Sequence, residues 1–202
     1  EKKSRTAPPL RRGGFLGAAA LPETKINVII FEGGPAMPEP LNYLTRLRHA
    51  IVLDNIARAK AAGADRLVVV TDRPGLMEQA ADRGALVVET PAQAAHPFHF
   101  GNALKAVCQL MDIQDETIVC GGTGALMRED DWGLVFKNLL DGGCGGVVTA
   151  NSIFSSDIIG FRPSGAVYQA QSMPLDNQLA WTLREAGLRY QPLPRTSAFT
   201  FD

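Results

Sequence analysis

Residues Ile51 to Asp72 read IVLDNIARAKAAGADRLVVVTD, and this stretch decides the fold. Ile51, Val52, Ile56 and Ala59 recur at helical spacing, and with Leu47 upstream they predict a helix from about Leu44 to Ala62. Gly63 supplies the left-handed residue on which helices commonly end. The run that follows, Arg66 to Thr71, is unbroken and apolar from Leu67 to Val70. A strand apolar on both faces is buried on both, as central parallel strands are.

The same reading extends in both directions. Ile26 to Phe31 is a doubly apolar strand that stops at Glu32-Gly33-Gly34-Pro35. After Asp72, the pattern predicts a short helix from Leu76 to Arg83 and a third strand from Ala85 to Glu89. A helix from Gly101 to about Met111, a strand from Thr117 to Cys120 and a helix from Arg128 to Leu140 come next. Glu129, Asp130 and Asp131 suit the positive N-terminus of that last helix. A fifth strand spans Gly145 to Ala150. Beyond Asn151 the spacing predicts short strands at 158–161 and 166–168 around an Arg162-Pro163-Ser164-Gly165 turn. A helix from about Leu175 to Ala186 and an edge strand from Arg189 to Leu193 complete the order, Pro192 being tolerated at an edge.

Single helices between doubly buried strands imply a parallel sheet covered on both faces, with right-handed crossovers. The expected fold is therefore one three-layer α/β domain over residues 26–202. Its sheet is mostly parallel, with a small antiparallel feature in the last third, and a basic arm precedes it at residues 1–25. A chain of 202 residues holds one such core. Open α/β sheets bind ligands outside the carboxyl ends of their strands, near the reversal of strand order. That rule selects four loops: Gly33-Gly34-Pro35, Thr71-Asp72-Arg73, the turn around His99-Phe100-Gly101-Asn102, and Gly121-Gly122-Thr123-Gly124.

Several chemistries are excluded. A net charge of −1 argues against a broad nucleic-acid face. The arm's Lys2, Lys3, Arg5, Arg11, Arg12 and Lys25 read as a solvated tail. Arg11 to Ala20 is similar to a twin-arginine signal, but its apolar stretch stops at Pro22-Glu23, short for a signal core. Cys108, Cys120 and Cys144 form no C-x-x-C pair and read as small buried hydrophobes, which predicts a reducing compartment, the cytoplasm. No run of eighteen apolar residues predicts a membrane span. Neither a dinucleotide fingerprint nor a P-loop nor a nucleophile elbow is present. His49, inside the first helical segment, reads as structural.

Taken together, these stretches resemble the GT-A nucleotidyltransferases, the group that holds the molybdenum-cofactor and phospholactate guanylyltransferases. Gly33-Gly34 occupies the place of that family's phosphate loop, and residues 51–72 resemble its helix, Ala-Gly turn and second strand. Phe100 to Leu104 is similar to the start of its helix near base and acceptor. Gly121 to Asp131 resembles its metal-binding segment, and Phe199 to Asp202 the beginning of its closing segment. The resemblance implies attack of a phosphate or hydroxyl acceptor on the α-phosphate of a nucleoside triphosphate, with Mg²⁺ on one or two carboxylates.

On that basis the nucleotide is expected over Gly33, Gly34, Thr71 and Asp72, with Gly121 and Gly122 beneath the phosphates. The acceptor is expected beside His99, Gly101, Asn102 and residues 151–165. Catalytic roles fall to Thr123, Asp157 and Arg46, with Arg48 the neighbouring basic candidate, and metal binding to Asp157 and Asp202. Glu32 is a further carboxylate in reach. The sequence departs from the family at the chemistry: the glycine loop lacks the usual basic pattern, and Thr123 stands where the family carries its metal Asp. Three readings stay open: an active transferase with a rearranged metal site, a nucleotide- or nucleotide-sugar-binding protein that does not turn its ligand over, and an α/β enzyme of unlike chemistry.

Overall fold

The chain was analysed as a computed structural model that describes residues 24–34, 42–90, 98–114, 116–122, 124–143, 145–154, 156–169 and 178–194. The order of elements is β1 (Ile26–Phe31), α1 (Asn42–Ala61), β2 (Arg66–Thr71), α2 (Pro74–Asp82), β3 (Leu86–Glu89), α3 (Phe100–Leu110) and β4 (Thr117–Cys120). Then follow α4 (Glu129–Leu140), β5 (Val147–Ala150), β6 (Ile159–Arg162), α5 (Ala166–Gln169), α6 (Leu179–Glu185) and β7 (Arg189–Pro192). The strands form one seven-stranded sheet in the order β3-β2-β1-β4-β6-β5-β7. Every neighbouring pair is parallel except those of β6, which runs against both β4 and β5. The expected antiparallel feature is thus a single reversed strand inside the sheet.

Alternation along the strands divides the interior into two layers. Val28 and Ile30 of β1 and Leu67 and Val69 of β2 face α1, α2 and α4, where they meet Ile56, Leu76, Trp132 and Leu139. Ile29, Val68 and Val70 face α3, α5 and α6, against Leu104, Val107, Val167 and Leu183. Cys108 and Cys120 lie in this second layer, both buried, and burial pushes the Cys108 thiol up to about 12. They are inert packing groups, as expected, and Cys144 lies outside the described residues.

Three expectations need correction. Residues 166–168 are not a strand: N–H groups of Ala166, Val167 and Tyr168 donate to the carbonyls of Pro163, Ser164 and Gly165, closing a helical turn. A three-residue apolar run has no period that separates the two states, and Val167 is buried against the α3 layer either way. Leu47 is 54% exposed and Ile51 only half-buried, so the core-facing stripe of α1 begins at Val52. The reason is length. A helix of 20 residues spans about 30 Å, a strand of 6 about 20 Å, so the first turns of α1 overhang the sheet. Finally, α2 starts at Pro74 rather than Leu76, the ring's fixed φ fitting the first helical turn.

The strand order reverses between β1 and β4, since the chain runs outward to β3 and then crosses β1 to continue on its other side. Directly at that reversal, Gly122 has φ +104°, and a Cβ there would lie 2.8 Å from Ile30 of β1. Gly122→Ala is therefore expected to cost about 3 kcal/mol, from backbone strain and overpacking together. Gly63→Ala also carries a positive φ, but in open space, and should cost about 1 kcal/mol. Urea unfolding of the two variants measures the difference.

Candidate functional site

The carboxyl ends of β1, β2, β4 and β5 gather the residues singled out from the sequence at one edge of the sheet. Glu32 continues β1, its N–H donating to Val70 O at 3.0 Å, and is only 4% exposed. Burying a carboxylate costs several kcal/mol unless it is paired. The partner comes from the overhang of α1: Arg48 Nη2 and Nε donate to Glu32 Oε2 at 3.0 and 3.2 Å. Burial still raises the Glu32 carboxyl above its ordinary value; Arg48 and then Arg73 oppose the shift, and Asp72 adds to it. Arg46, the basic residue favoured from the sequence, is exposed on α1. Arg48 is the arginine that the structure joins to the end of β1.

At the end of β2, the buried Thr71 hydroxyl accepts the Arg73 N–H at 3.1 Å, fixing the turn. Arg73 Nη2 donates to Gly34 O, and its Nε pairs with Asp72 Oδ1 at 3.2 Å. Asp72 in turn sits against Gly33, where a Cβ would come within 3.0 Å of its Oδ1. One arginine thus ties the β2 turn to the glycine loop after β1, which the sequence did not single out. His49 lies in the same field. Burial, Arg73 and Arg48 all hold its imidazole below the ordinary value, and its Nε2 is buried without a hydrogen bond.

Gly121 and Gly122 follow β4 and are held from below by a residue that sequence reading overlooked. Asn55, fully buried in α1, donates to Gly122 O at 3.1 Å and Gly124 O at 3.0 Å and accepts from Trp132 Nε1 at 3.2 Å. Its signal was an amide on the apolar stripe between Val52, Ile56 and Ala59, where a polar group must find partners. Arg58, one turn on, donates to Met127 O. Thr123 itself lies outside the described residues, as does Asp202.

Asp157 is brought to the same place. Its carbonyl oxygen lies 3.5 Å from where a Cβ on Gly121 would stand, and its Oδ2 accepts from Asn151 Nδ2 at 2.8 Å. His99 caps α3, its Nδ1 accepting the Asn102 N–H at 3.2 Å. Phe100 seats that helix end against Phe31, ring centroids 5.1 Å apart. Gly101 is buried and Asn102 exposed. Among the described residues, no group of three or more His, Cys, Asp or Glu side chains is placed to hold a metal ion, and no helix is long and apolar enough to cross a membrane.

This sheet order, seven strands mostly parallel between helical layers with one strand reversed, defines a three-layer α/β domain with a GT-A-like fold. The particular similarities are to solved structures. A nucleotidyl transferase from Methanothermobacter thermautotrophicus superposes with TM-score 0.60 at 13% identity, over 85% of this chain and 88% of that one. A cytidylyltransferase from Leptospira borgpetersenii gives 0.60 at 14%, over 85% and 77%. A CMP-2-keto-3-deoxy-manno-octonic acid synthetase, solved with CTP, gives 0.52 at 12%, over 84% and 90%. At such identities the similarity is one of fold. No protein-family model matches the sequence, and no curated protein does.

A histidine whose folded value is lowered favours the folded state while neutral. The stability it contributes is present above the unfolded value of about 6.5 and is lost as pH falls below it. The chain is therefore expected to lose stability between about pH 7 and pH 5.5, and His49→Gln to flatten that loss. Glu32, shifted upward, works in the opposite sense above its ordinary range. Chemical unfolding of both proteins at the two pH values reads the difference.

Proposed function

We propose that this chain is a nucleotidyltransferase, moving a nucleoside monophosphate from a nucleoside triphosphate to a small phosphorylated or hydroxylated acceptor. The observation that carries the reading is the pair Arg48 and Arg73, held at the carboxyl ends of β1 and β2, with Asp157, in the loop between β5 and β6, packed beside the turn after β4. Arg48 is fixed by Glu32 along one side and 46% exposed, so it would present the rest of its guanidinium to phosphate oxygens. The two arginines would supply the cations that the glycine loop lacks. An acceptor oxygen attacks the α-phosphorus, the bond to the bridging oxygen breaks, and pyrophosphate leaves with the electron pair.

Mg²⁺ is the ion this reading implies. Asp157 commits Oδ2 to Asn151, which leaves its other oxygen for the metal. Mg²⁺ commonly takes one or two carboxylates and completes its shell with substrate phosphates and water, so this donor set fits, with Asp202 as a second candidate. When bound, the ion would neutralise charge on the triphosphate. His99, Gly101 and Asn102 would border the acceptor. A second reading, nucleotide binding without turnover, is favoured by Thr123 at the position where the resembling family carries its metal carboxylate.

Calorimetry with GTP, CTP, UTP and ATP, each with and without Mg²⁺, separates the two. Tight Mg²⁺-dependent binding of one nucleotide supports the transferase, and binding indifferent to Mg²⁺ supports the second reading. Binding of none sinks both. For the nucleotide that binds, Arg48→Ala is expected to raise Kd by about 10- to 100-fold, as loss of charge-assisted hydrogen bonds does. Arg46→Ala should stay within about twofold, the range of an exposed charge. Asp157→Asn should remove the Mg²⁺ dependence.

A further inference from the structure

The loop between β5 and β6 carries a feature outside the residues proposed above to hold the nucleotide. Phe154 is 67% exposed and stacks on Trp181 near the start of α6, with ring centroids 5.3 Å apart and planes at 28°. Trp181 is itself 39% exposed, and the Arg184 guanidinium lies 5.5 Å from its ring centroid. Scattered surface aromatics are ordinary; two rings stacked face to face in water beside a cation are a different case. The loop that presents Phe154 is fixed by its own bonds, and Trp181 stands on α6. Asn151 Oδ1 accepts the N–H groups of Asp157 and Ile158 at 3.0 and 3.3 Å, the Ser152 hydroxyl oxygen accepts the Phe154 N–H at 3.4 Å, and Ser156 Oγ donates to Ser152 O. Rigid aromatic side chains on a fixed backbone lose little entropy when they bind.

Position supplies the rest. The loop leaves the sheet at the carboxyl edge, since Ala150 of β5 pairs with Ile159 of β6 and Cys120 of β4 pairs with that same residue. Asp157, the carboxylate next to the turn after β4, belongs to the same short loop as Phe154. Among the described residues Arg184 forms no ion pair, so its charge remains for a ligand. From this geometry we infer that Phe154, Trp181 and Arg184 form the acceptor subsite, and that the acceptor is an aromatic ring compound bearing an anionic group. The inference rests on the transferase reading for its word acceptor. The ring lies on the open face of Phe154, Trp181 backs it, and Arg184 holds the anion.

The test uses the full chain and intrinsic fluorescence, because Trp132 is fully buried while Trp181 is exposed. Phenyl phosphate, glucose 1-phosphate and inorganic phosphate are titrated separately. The expected result is a saturable change with phenyl phosphate alone, absent in Trp181→Phe. Its apparent Kd should rise about tenfold in Phe154→Ala and return in Phe154→Trp. Nucleotide affinity by calorimetry should be unchanged in Phe154→Ala. An equal response to inorganic phosphate would reduce the feature to an anion contact and overturn the subsite, and saturation by glucose 1-phosphate would overturn its aromatic preference. Weaker nucleotide binding in Phe154→Ala would assign the rings to the base and overturn the acceptor role. A chain that binds no nucleotide yet still takes phenyl phosphate keeps the ring subsite and loses the transferase reading, so the two failures are distinguishable.

Discussion

The side-chain amide of Asn55 uses both of its ends inside the protein. Its nitrogen bonds the carbonyls on either side of residue 123, its oxygen takes the indole N–H of Trp132, and all three bonds are buried. Those bonds join α1, the turn after β4 and α4 across the layer that packs on β1. With Gly122 pressed against Ile30, they set how closely the ends of β1 and β4 approach. The floor of the site is therefore a property of the core. The loops above inherit a rigid base, and one of the charges at its rim, Arg48, is positioned by α1, the same helix that supplies Asn55.

That rim is close to electroneutral. Glu32 is matched by Arg48 and Asp72 by Arg73. The solved structures this chain resembles share its fold. An arginine that already holds a buried carboxylate is oriented before a ligand arrives, at the cost of part of its field. Preorganisation of this kind favours geometry over raw charge, which suits the transfer proposed for this site.

The legible part of the fold was the part decided by burial. Val28–Phe31 and Leu67–Val70 are apolar on both faces because both faces are covered, so strands of a parallel sheet were legible in their apolar runs. The segment 166–168 misled because three apolar residues carry no period. Leu47 misled because a helix longer than its sheet keeps its pattern after it has left the core. At the site, the glycine turns were readable as residues after strands, and Asp157 as a carboxylate in the segment beyond the fifth strand. The pairing of Glu32 with Arg48 was not, since it depends on how far α1 overhangs, a matter of length and crossing that no local window contains. Asn55 lay in plain view as a polar break in an apolar stripe.

The reversed strand β6 has a consequence for how such a domain can change over generations. The connections that follow β1, β2, β3 and β4 at the carboxyl edge lead into helices, so altering their length shifts a packed element. The one joining β5 to β6 closes on itself as a hairpin between two strands already anchored in the sheet. Lengthening a closed loop is cheap, about 0.6 kcal/mol for each doubling. Insertions and deletions can therefore accumulate beside Asp157 while the turns at β1, β2 and β4 stay fixed. The fold separates a half of the site pinned by packed helices from a half free to drift, and new ligands can be accommodated through one loop without refolding the rest.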